Sequence, residues 1–128
     1  MYLRFTVPGE VTRARVAPGL FGPAGDLCRN ESNNDPVLRA IQHELDWFNK
    51  WLPVPKRLGV LVRGRYWYDG ICWFRDNAGE MVEHAFTLAA LIEECGVPVN
   101  RRWTRDPGQL LYRDQWQVVA KPERNRLH

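Results

Sequence analysis

Residues 71–104 read ICWFRDNAGEMVEHAFTLAALIEECGVPVNRRWT and contain the clearest succession of secondary-structure signals in the chain. Its first five residues, 71–75, predict a strand. Asn77 precedes Glu80 by three residues, which is the spacing of a helix N-cap followed by a capping-box glutamate. Apolar residues then recur at helical spacing, and the predicted buried stripe consists of Met81, Val82, Ala85, Leu88, Ala89 and Ile92.

The same stretch returns to a strand after the helix. Gly96 is a typical residue for ending a helix, and residues 97–104 predict the next strand. A strand, a helix and a second strand joined by a short connection are typical of a βαβ unit. We therefore expect residues 71–104 to form one, with a right-handed crossover between parallel strands.

Towards the N-terminus the pattern indicates two strands, a loop and a second helix. Residues 2–7 alternate apolar and polar side chains, and residues 11–17 are a candidate strand that pairs back on them. Residues 18–34 are rich in Gly, Pro and Asn, which predicts a long loop. Residues 36–52 predict an amphipathic helix that ends before Pro53, because proline disfavours helical geometry in the residue before it.

Further strands are predicted on both sides of the central stretch. Residues 58–62 form one candidate. Asp106-Pro107-Gly108 is a turn sequence that leads into a strand over 109–112, and residues 116–120 form the last candidate. Residues 113–115 fit either a tight turn or the middle of one long strand, and the pattern alone leaves both open.

Together these elements predict an α+β fold. We expect a mixed sheet of five or six strands with two amphipathic helices, the βαβ unit and a C-terminal hairpin. The length of 128 residues fits one domain, which we place at residues 1–122, followed by a frayed tail at 123–128.

Composition excludes several classes of protein. The hydrophobic fraction of 45% and the charged fraction of 26% are those of a globular chain rather than a disordered one. No apolar run is long enough to span a membrane, and the N-terminus lacks the apolar core of a signal peptide. We therefore expect a cytoplasmic protein, with no membrane partner and with its three cysteines reduced.

Catalytic and metal-binding patterns are missing from the sequence. The cysteines and histidines show no metal-ligand spacing, and no phosphate-binding glycine motif is present. His43 and His84 are interpreted as surface or boundary histidines, and Cys72 and Cys95 as core residues. Cys28, beside Arg29 in the predicted loop, is the one candidate nucleophile. We predict no catalytic residue, no metal site and no cofactor.

Arginine and aromatic residues supply the candidate binding surface. The chain has six tryptophans, and the Tyr-Trp-Tyr sequence at 66–68 falls in a predicted turn after two arginines. Tyr, Trp and Arg are enriched where proteins bind one another. The candidate residues are Arg63, Arg65, Tyr66, Trp67, Tyr68, Arg101, Arg102, Trp103 and Arg105. The alternative is that the rings fill the core while the arginines point outward, since neighbouring residues of a strand face opposite sides.

Charge is segregated along the chain, although the net charge is only +3. Residues 76–95 contain acids and neither Lys nor Arg, while bases outnumber acids over 53–75 and from residue 101 onward. Glu93 and Glu94 lie in the last helical turn, where the helix dipole disfavours negative charge. They either pair with Arg101 or Arg102, or form an acidic patch for a basic partner.

These features favour a small binding or regulatory protein that acts on a protein partner through its Arg/Tyr/Trp surface, without catalysis. The first alternative is a nucleic-acid-binding protein, with arginines on phosphates and aromatic rings stacked on bases. The second alternative is a small enzyme that uses a loop cysteine or a histidine.

Overall fold

The computed structural model describes residues 1–8, 19–30, 35–53, 60–62, 65–67 and 70–121. Their secondary structure confirms the α+β class. In chain order the elements are β1 (Tyr2–Thr6), α1 (Phe21–Asn30), α2 (Pro36–Trp51), β2 (Val60–Val62), β3 (Arg65–Trp67), β4 (Ile71–Arg75), α3 (Glu80–Glu94), β5 (Asn100–Thr104), β6 (Gln109–Arg113) and β7 (Gln117–Lys121). The predicted strand at 11–17 and the predicted tail at 123–128 lie outside the described residues.

Five strands form the main sheet, in the order β5-β1-β4-β7-β6, and β2 pairs with β3 separately. Every hydrogen-bonded pair of strands among the described residues is antiparallel, so the prediction of a mixed sheet is wrong. Antiparallel neighbours share a more favourable hydrogen-bond geometry than parallel ones.

The predicted βαβ unit is not confirmed, because a strand from the N-terminus of the chain, β1, lies between its two strands. Helix α3 does connect β4 to β5, and these strands run in the same direction. They are not neighbours, however, since β1 lies between them and pairs antiparallel with both. Residues 71–104 carry no local sign of this insertion, and the handedness of the crossover stays a prediction.

The sheet is curled, as the connection between its two edges shows. β5 and β6 lie at opposite edges, yet only residues 105–108 join Thr104 to Gln109. Five residue steps span at most about 17 Å. A flat sheet would hold its edge strands about 19 Å apart across four strand spacings, before any offset along the strands. The edges must therefore approach each other through twist and coiling.

Helix α1 replaces the long loop that residues 18–34 predict. Its glycines and Pro23 favour a loop locally, but Pro23 falls in the first helical turn, where its missing N–H costs no hydrogen bond. Leu20 and Ala24 are buried. The Phe21 ring also meets Phe48 edge-on, with 5.0 Å between ring centroids. Tertiary packing on α2 thus outweighs the local preference.

Helices α2 and α3 form largely where the sequence predicts them, but the N-cap of α3 is Gly79 and the prediction of an Asn77 cap is wrong. The Asp35 side chain caps α2 by accepting a 2.8 Å hydrogen bond from the Val37 N–H, and Pro36 opens the helix. Gly79 and Gly96 flank α3 with φ values of 51° and 85°, which L-residues with a side chain rarely adopt.

The core lies between the helices and one face of the sheet. Leu3 and Phe5 project from β1 into it, and the Phe5 ring meets Phe86 of α3 edge-on at 5.1 Å. The helices contribute a larger set of buried side chains, which includes Leu38, Ile41, Phe48, Met81, Ala85, Leu88, Ala89 and Ile92. The predicted apolar stripe of α3 therefore packs into the core.

A C-terminal hairpin of β6 and β7 is present, and it settles the choice over residues 113–115 in favour of a turn. β6 and β7 pair antiparallel across this turn. The Asp114 carboxylate accepts hydrogen bonds from the Trp116 and Gln117 N–H groups, at 2.8 and 2.9 Å. It also accepts from the Tyr112 hydroxyl and from Gln117 Nε2. A carboxylate in this position specifies the turn.

Candidate functional site

Strand β5 lies at the edge of the main sheet and carries three of the predicted binding residues, Arg101, Arg102 and Trp103. Asn100, Arg101, Arg102 and Trp103 are all exposed, and Arg105 is exposed in the turn that follows. Trp103 has 49% of its surface in solvent, which is unusual for so large an apolar side chain. We call Arg102, Trp103 and Arg105 the β5 surface.

The register of β5 on β1 places Arg102 and Trp103 on different faces, while Arg101 shares the face of Trp103. Arg102 lies opposite Arg4, while Trp103 lies opposite Leu3, which belongs to the core face. Adjacent residues of a strand point to opposite faces, so the expected separation of Arg102 from Trp103 holds here. The β5 surface therefore wraps around the edge of the sheet, with Arg102 on one face and the Trp103 ring on the other.

The pairing of β5 with β1 also determines the side of the strand to which each backbone N–H and C=O group points. The Asp76 N–H donates to the Met1 carbonyl, so odd-numbered residues of β1 hydrogen-bond towards β4 and even-numbered ones towards β5. The partners of the even-numbered residues are Asn100, Arg102 and Thr104. It follows that the N–H and C=O groups of Arg101 and Trp103 point away from β1. Among the described strands, none pairs with this side of β5.

Like charges meet on the Arg102 face of the sheet. Arg4 is directly opposite Arg102, and its guanidinium lies over the Trp73 ring, 5.8 Å from the centroid. Burial and then the positive charge of Arg102 lower the pKa of Arg4 from its usual value. Like charges directly opposite each other on neighbouring strands are destabilising. An anionic group on this face would therefore be attracted by both arginines.

The Glu93 carboxylate of α3 neutralises Arg101, the other arginine of β5. Arg101 Nη2 donates to Glu93 Oε1 at 2.9 Å, and the Arg101 guanidinium also lies over the Phe86 ring. This is the pairing that the charge pattern offered as one interpretation of the acidic helix end. Glu94 is exposed beside it. The cationic character of the β5 surface thus rests on Arg102 and Arg105.

The other predicted binding residues lie around strand β3. Arg65, Tyr66 and Trp67 form this strand, which pairs with β2, rather than the turn that the sequence predicts. Arg63 and Tyr68 lie outside the described residues. The predicted surface therefore divides into two segments of the chain, and the structure describes the side chains of the β5 segment.

A second cluster joins α2 to α3 and was not predicted. His84 Nδ1 lies 2.6 Å from Glu44 Oε2, and only 10% of the Glu44 side chain is exposed. The His84 ring stacks on Trp47, with 3.6 Å between centroids and 13° between planes. We call Glu44, His84 and Trp47 the interhelix cluster.

The sequence predicts a surface or boundary position for His84 and no role for Glu44. The structure makes Glu44 a buried residue and His84 a partly buried one. One signal was available: Glu44 follows Ile41 by three residues and precedes Phe48 by four, so it shares their face of the helix. A single acid on an apolar face implies a polar partner, but only the packing of α3 against α2 reveals that the partner is His84.

The interhelix cluster fixes one tautomer of its histidine. A carboxylate only accepts hydrogen bonds, so Nδ1–H donates to Glu44 and the lone pair of a neutral ring lies on Nε2. Such a group can accept a proton or bind a metal ion. In the ranges that the structure describes, no three His, Cys, Asp or Glu side chains come close enough to share a metal ion. The observed contacts are those of a polar link between two helices.

The surroundings of Cys28 disfavour a thiolate. Cys28 is partly buried in α1, and its Sγ lies 3.7 Å from the Leu38 carbonyl. Burial raises the pKa of its thiol, an effect that outweighs the opposing influence of Arg29. This works against the use of Cys28 as a nucleophile. Cys72 is exposed rather than in the core, which corrects the sequence-based interpretation, and Cys95 is partly buried.

Comparison with known proteins gives no family: no family model matches the chain, and no curated protein or solved structure is significantly similar to it. Within the described ranges, no helix has both the length and the apolar character that crossing a bilayer requires. A function must therefore be argued from the chain's own residues.

Proposed function

We propose that this protein works by binding a partner protein through the β5 surface, without catalysis. The observation that carries the proposal is the exposed Trp103 ring, 49% in solvent, on an edge strand beside two arginines. Trp and Arg are the residues that most often dominate binding energy at protein interfaces. A tryptophan at such a position offers a large contact area with few rotatable bonds.

The chemistry of the described residues supports contact rather than turnover. The interhelix cluster uses Glu44 and His84 to hold each other, and burial suppresses ionisation of Cys28. A binding surface needs neither a nucleophile nor a general base. Exposed arginines and an exposed ring are sufficient for it.

The test is partner capture with matched tryptophan variants. Purified wild-type protein and the Trp103→Ala, Arg102→Ala and Trp51→Ala variants are immobilised and exposed to extract from the source cells. Trp51 on α2 is a suitable control because it is also an exposed tryptophan, at 53%. We expect the first two variants to lose the captured protein, and Trp51→Ala to retain it. Equal capture by all four would contradict the proposal.

Nucleic acid is the competing ligand, and the same variants address it. Phosphate contacts make affinity fall steeply with salt concentration. Binding of a single-stranded oligonucleotide that weakens strongly between 50 and 200 mM salt, as counterion release predicts, and that is lost in Arg102→Ala would favour the nucleic-acid alternative.

A further inference from the structure

We infer that the partner joins the main sheet as an added strand along β5, and that this strand carries acidic residues. The inference rests on the proposed function and specifies its partner and its mode of binding. An exposed sheet edge is a ready template for main-chain hydrogen bonding to an extended segment of another protein.

The direction of the backbone groups is the first argument. The N–H and C=O groups of Arg101 and Trp103 point away from β1, as the register on β1 requires. An extended segment laid along this side would meet two donors and two acceptors at the spacing of a β-ladder. Side chains alternating along such a segment would face Arg102 on one side of the sheet and Trp103 on the other.

Charge selects the type of segment. Arg102 has Arg4 as its neighbour on β1, so the position opposite Arg102 on an incoming strand favours Asp or Glu. Arg105 adds positive charge at the end of the strand. The residue that meets Trp103 on the other face favours an apolar side chain. The preferred segment therefore alternates acidic and apolar residues.

A second copy of this chain is a poor occupant of the same edge. Two β5 strands paired with each other would bring Arg102 and Arg105 of each copy together, since these two arginines lie within four residues of the chain. Like charges on adjacent strands oppose pairing. Arginine at the edge thus disfavours self-association and favours an acidic segment.

The direct test uses a peptide of about seven residues that alternates Val and Glu, with a Val and Lys peptide as its control. Fluorescence anisotropy on the wild-type protein should show saturable binding of the acidic peptide and an affinity for the basic peptide at least about tenfold lower. Amide hydrogen exchange at saturation should slow at Arg101 and Trp103. It should change little at Arg102, whose N–H already faces β1.

Proline substitution isolates the backbone contribution. Arg101→Pro removes one outward N–H, whereas Arg101→Ala removes the same side-chain contacts with Glu93 but keeps the N–H. Proline is tolerated at sheet edges where its nitrogen faces outward. We expect Arg101→Pro to raise the dissociation constant for the acidic peptide about tenfold over Arg101→Ala, with equal midpoints of urea unfolding in the two variants.

Several outcomes would overturn the inference. Equal binding of the two peptides, or unchanged exchange at Arg101 and Trp103 at saturation, would rule out acidic strand addition, and both results come from wild-type protein. Tighter binding of an oligonucleotide than of the acidic peptide would point to nucleic acid instead. If capture of the cellular partner needs Trp103 and Arg102 yet is the same in Arg101→Pro and Arg101→Ala, the proposed function stands and strand addition is wrong.

Discussion

Helix α3 makes two polar contacts of similar length in very different surroundings. Near its start, His84 lies 2.6 Å from Glu44, with 29% and 10% of the two side chains exposed. Near its end, Glu93 lies 2.9 Å from Arg101, with 41% and 35% exposed. Their distances are nearly alike, but water screens the second contact and is largely excluded from the first. Burial therefore decides which contact the fold depends on.

The same difference in burial predicts that the interhelix cluster affects folding stability and that the β5 surface affects binding. The interhelix cluster lies against the core, where a lost partner leaves a buried carboxylate without its hydrogen bond. The β5 surface lies at the sheet edge, where a side chain can be removed with little cost to folding. Substitutions in the first region should therefore change the free energy of unfolding, and those in the second should change binding.

The largest expected effect is that of His84→Ala. It removes the partner of Glu44 and the ring that stacks on Trp47. We expect a loss of about 3 kcal/mol in the free energy of unfolding, at the low end for a broken buried pair because His84 is partly exposed. Urea unfolding should show a lower midpoint with an unchanged slope.

A paired substitution sharpens this result. Glu44→Met combined with His84→Phe removes both polar groups and keeps an aromatic ring against Trp47. We expect the double variant to lie within about 1 kcal/mol of wild type, since replacing both members of a buried pair leaves no charge unpaired. If the double variant is as unstable as His84→Ala, the hydrogen bond is not what makes this region sensitive.

The next largest effect concerns the turn between β6 and β7. Asp114→Ala removes a carboxylate that accepts from the backbone of Trp116 and Gln117, the Tyr112 hydroxyl and Gln117 Nε2. We expect a loss of about 2 kcal/mol, measured by urea unfolding at pH 7. Tyr112→Phe removes only one of these hydrogen bonds, so it should lower the midpoint of urea unfolding much less than Asp114→Ala does.

The same aspartate predicts a dependence on pH. Desolvation favours its neutral form, but the hydrogen bonds together outweigh it and hold the pKa of Asp114 below the usual value. A depressed pKa in the folded state stabilises the fold above the unfolded pKa of about 3.9, and this contribution is lost as the pH falls through the folded value. Wild type should thus lose more stability than Asp114→Ala between pH 5 and pH 2, a window set by these values. Parallel curves would contradict the assignment.

The smallest expected effects lie at the edge. Glu93→Gln breaks the exposed pair with Arg101 and should cost about 0.2–0.5 kcal/mol, less at high salt. Trp103→Ala should change unfolding by about 0.5 kcal/mol or less, while weakening partner binding by at least tenfold, which corresponds to about 1.4 kcal/mol. A large loss of stability in Trp103→Ala would mean that the ring serves the fold.

Local patterns predicted the elements better than their arrangement. The stripe of α3 and the helical span of α2 follow from residues a few positions apart, and the structure contains both. Helix α1 was missed because its glycines and Pro23 favour a loop, and only packing against Phe48 compensates. Trp103 was identified as a candidate from its residue type, but its exposure depends on β5 being an edge strand.

The α+β class, two of the helices and the chemistry available at residues 101–105 are readable from short segments, because periodicity and side-chain type act over short distances along the chain. Only the tertiary structure placed β1 between β4 and β5, and only it joined Glu44 to His84. Both arrangements depend on contacts between residues 40 or more positions apart. Such contacts are selected by the burial of the whole core, for which no short segment carries a signal.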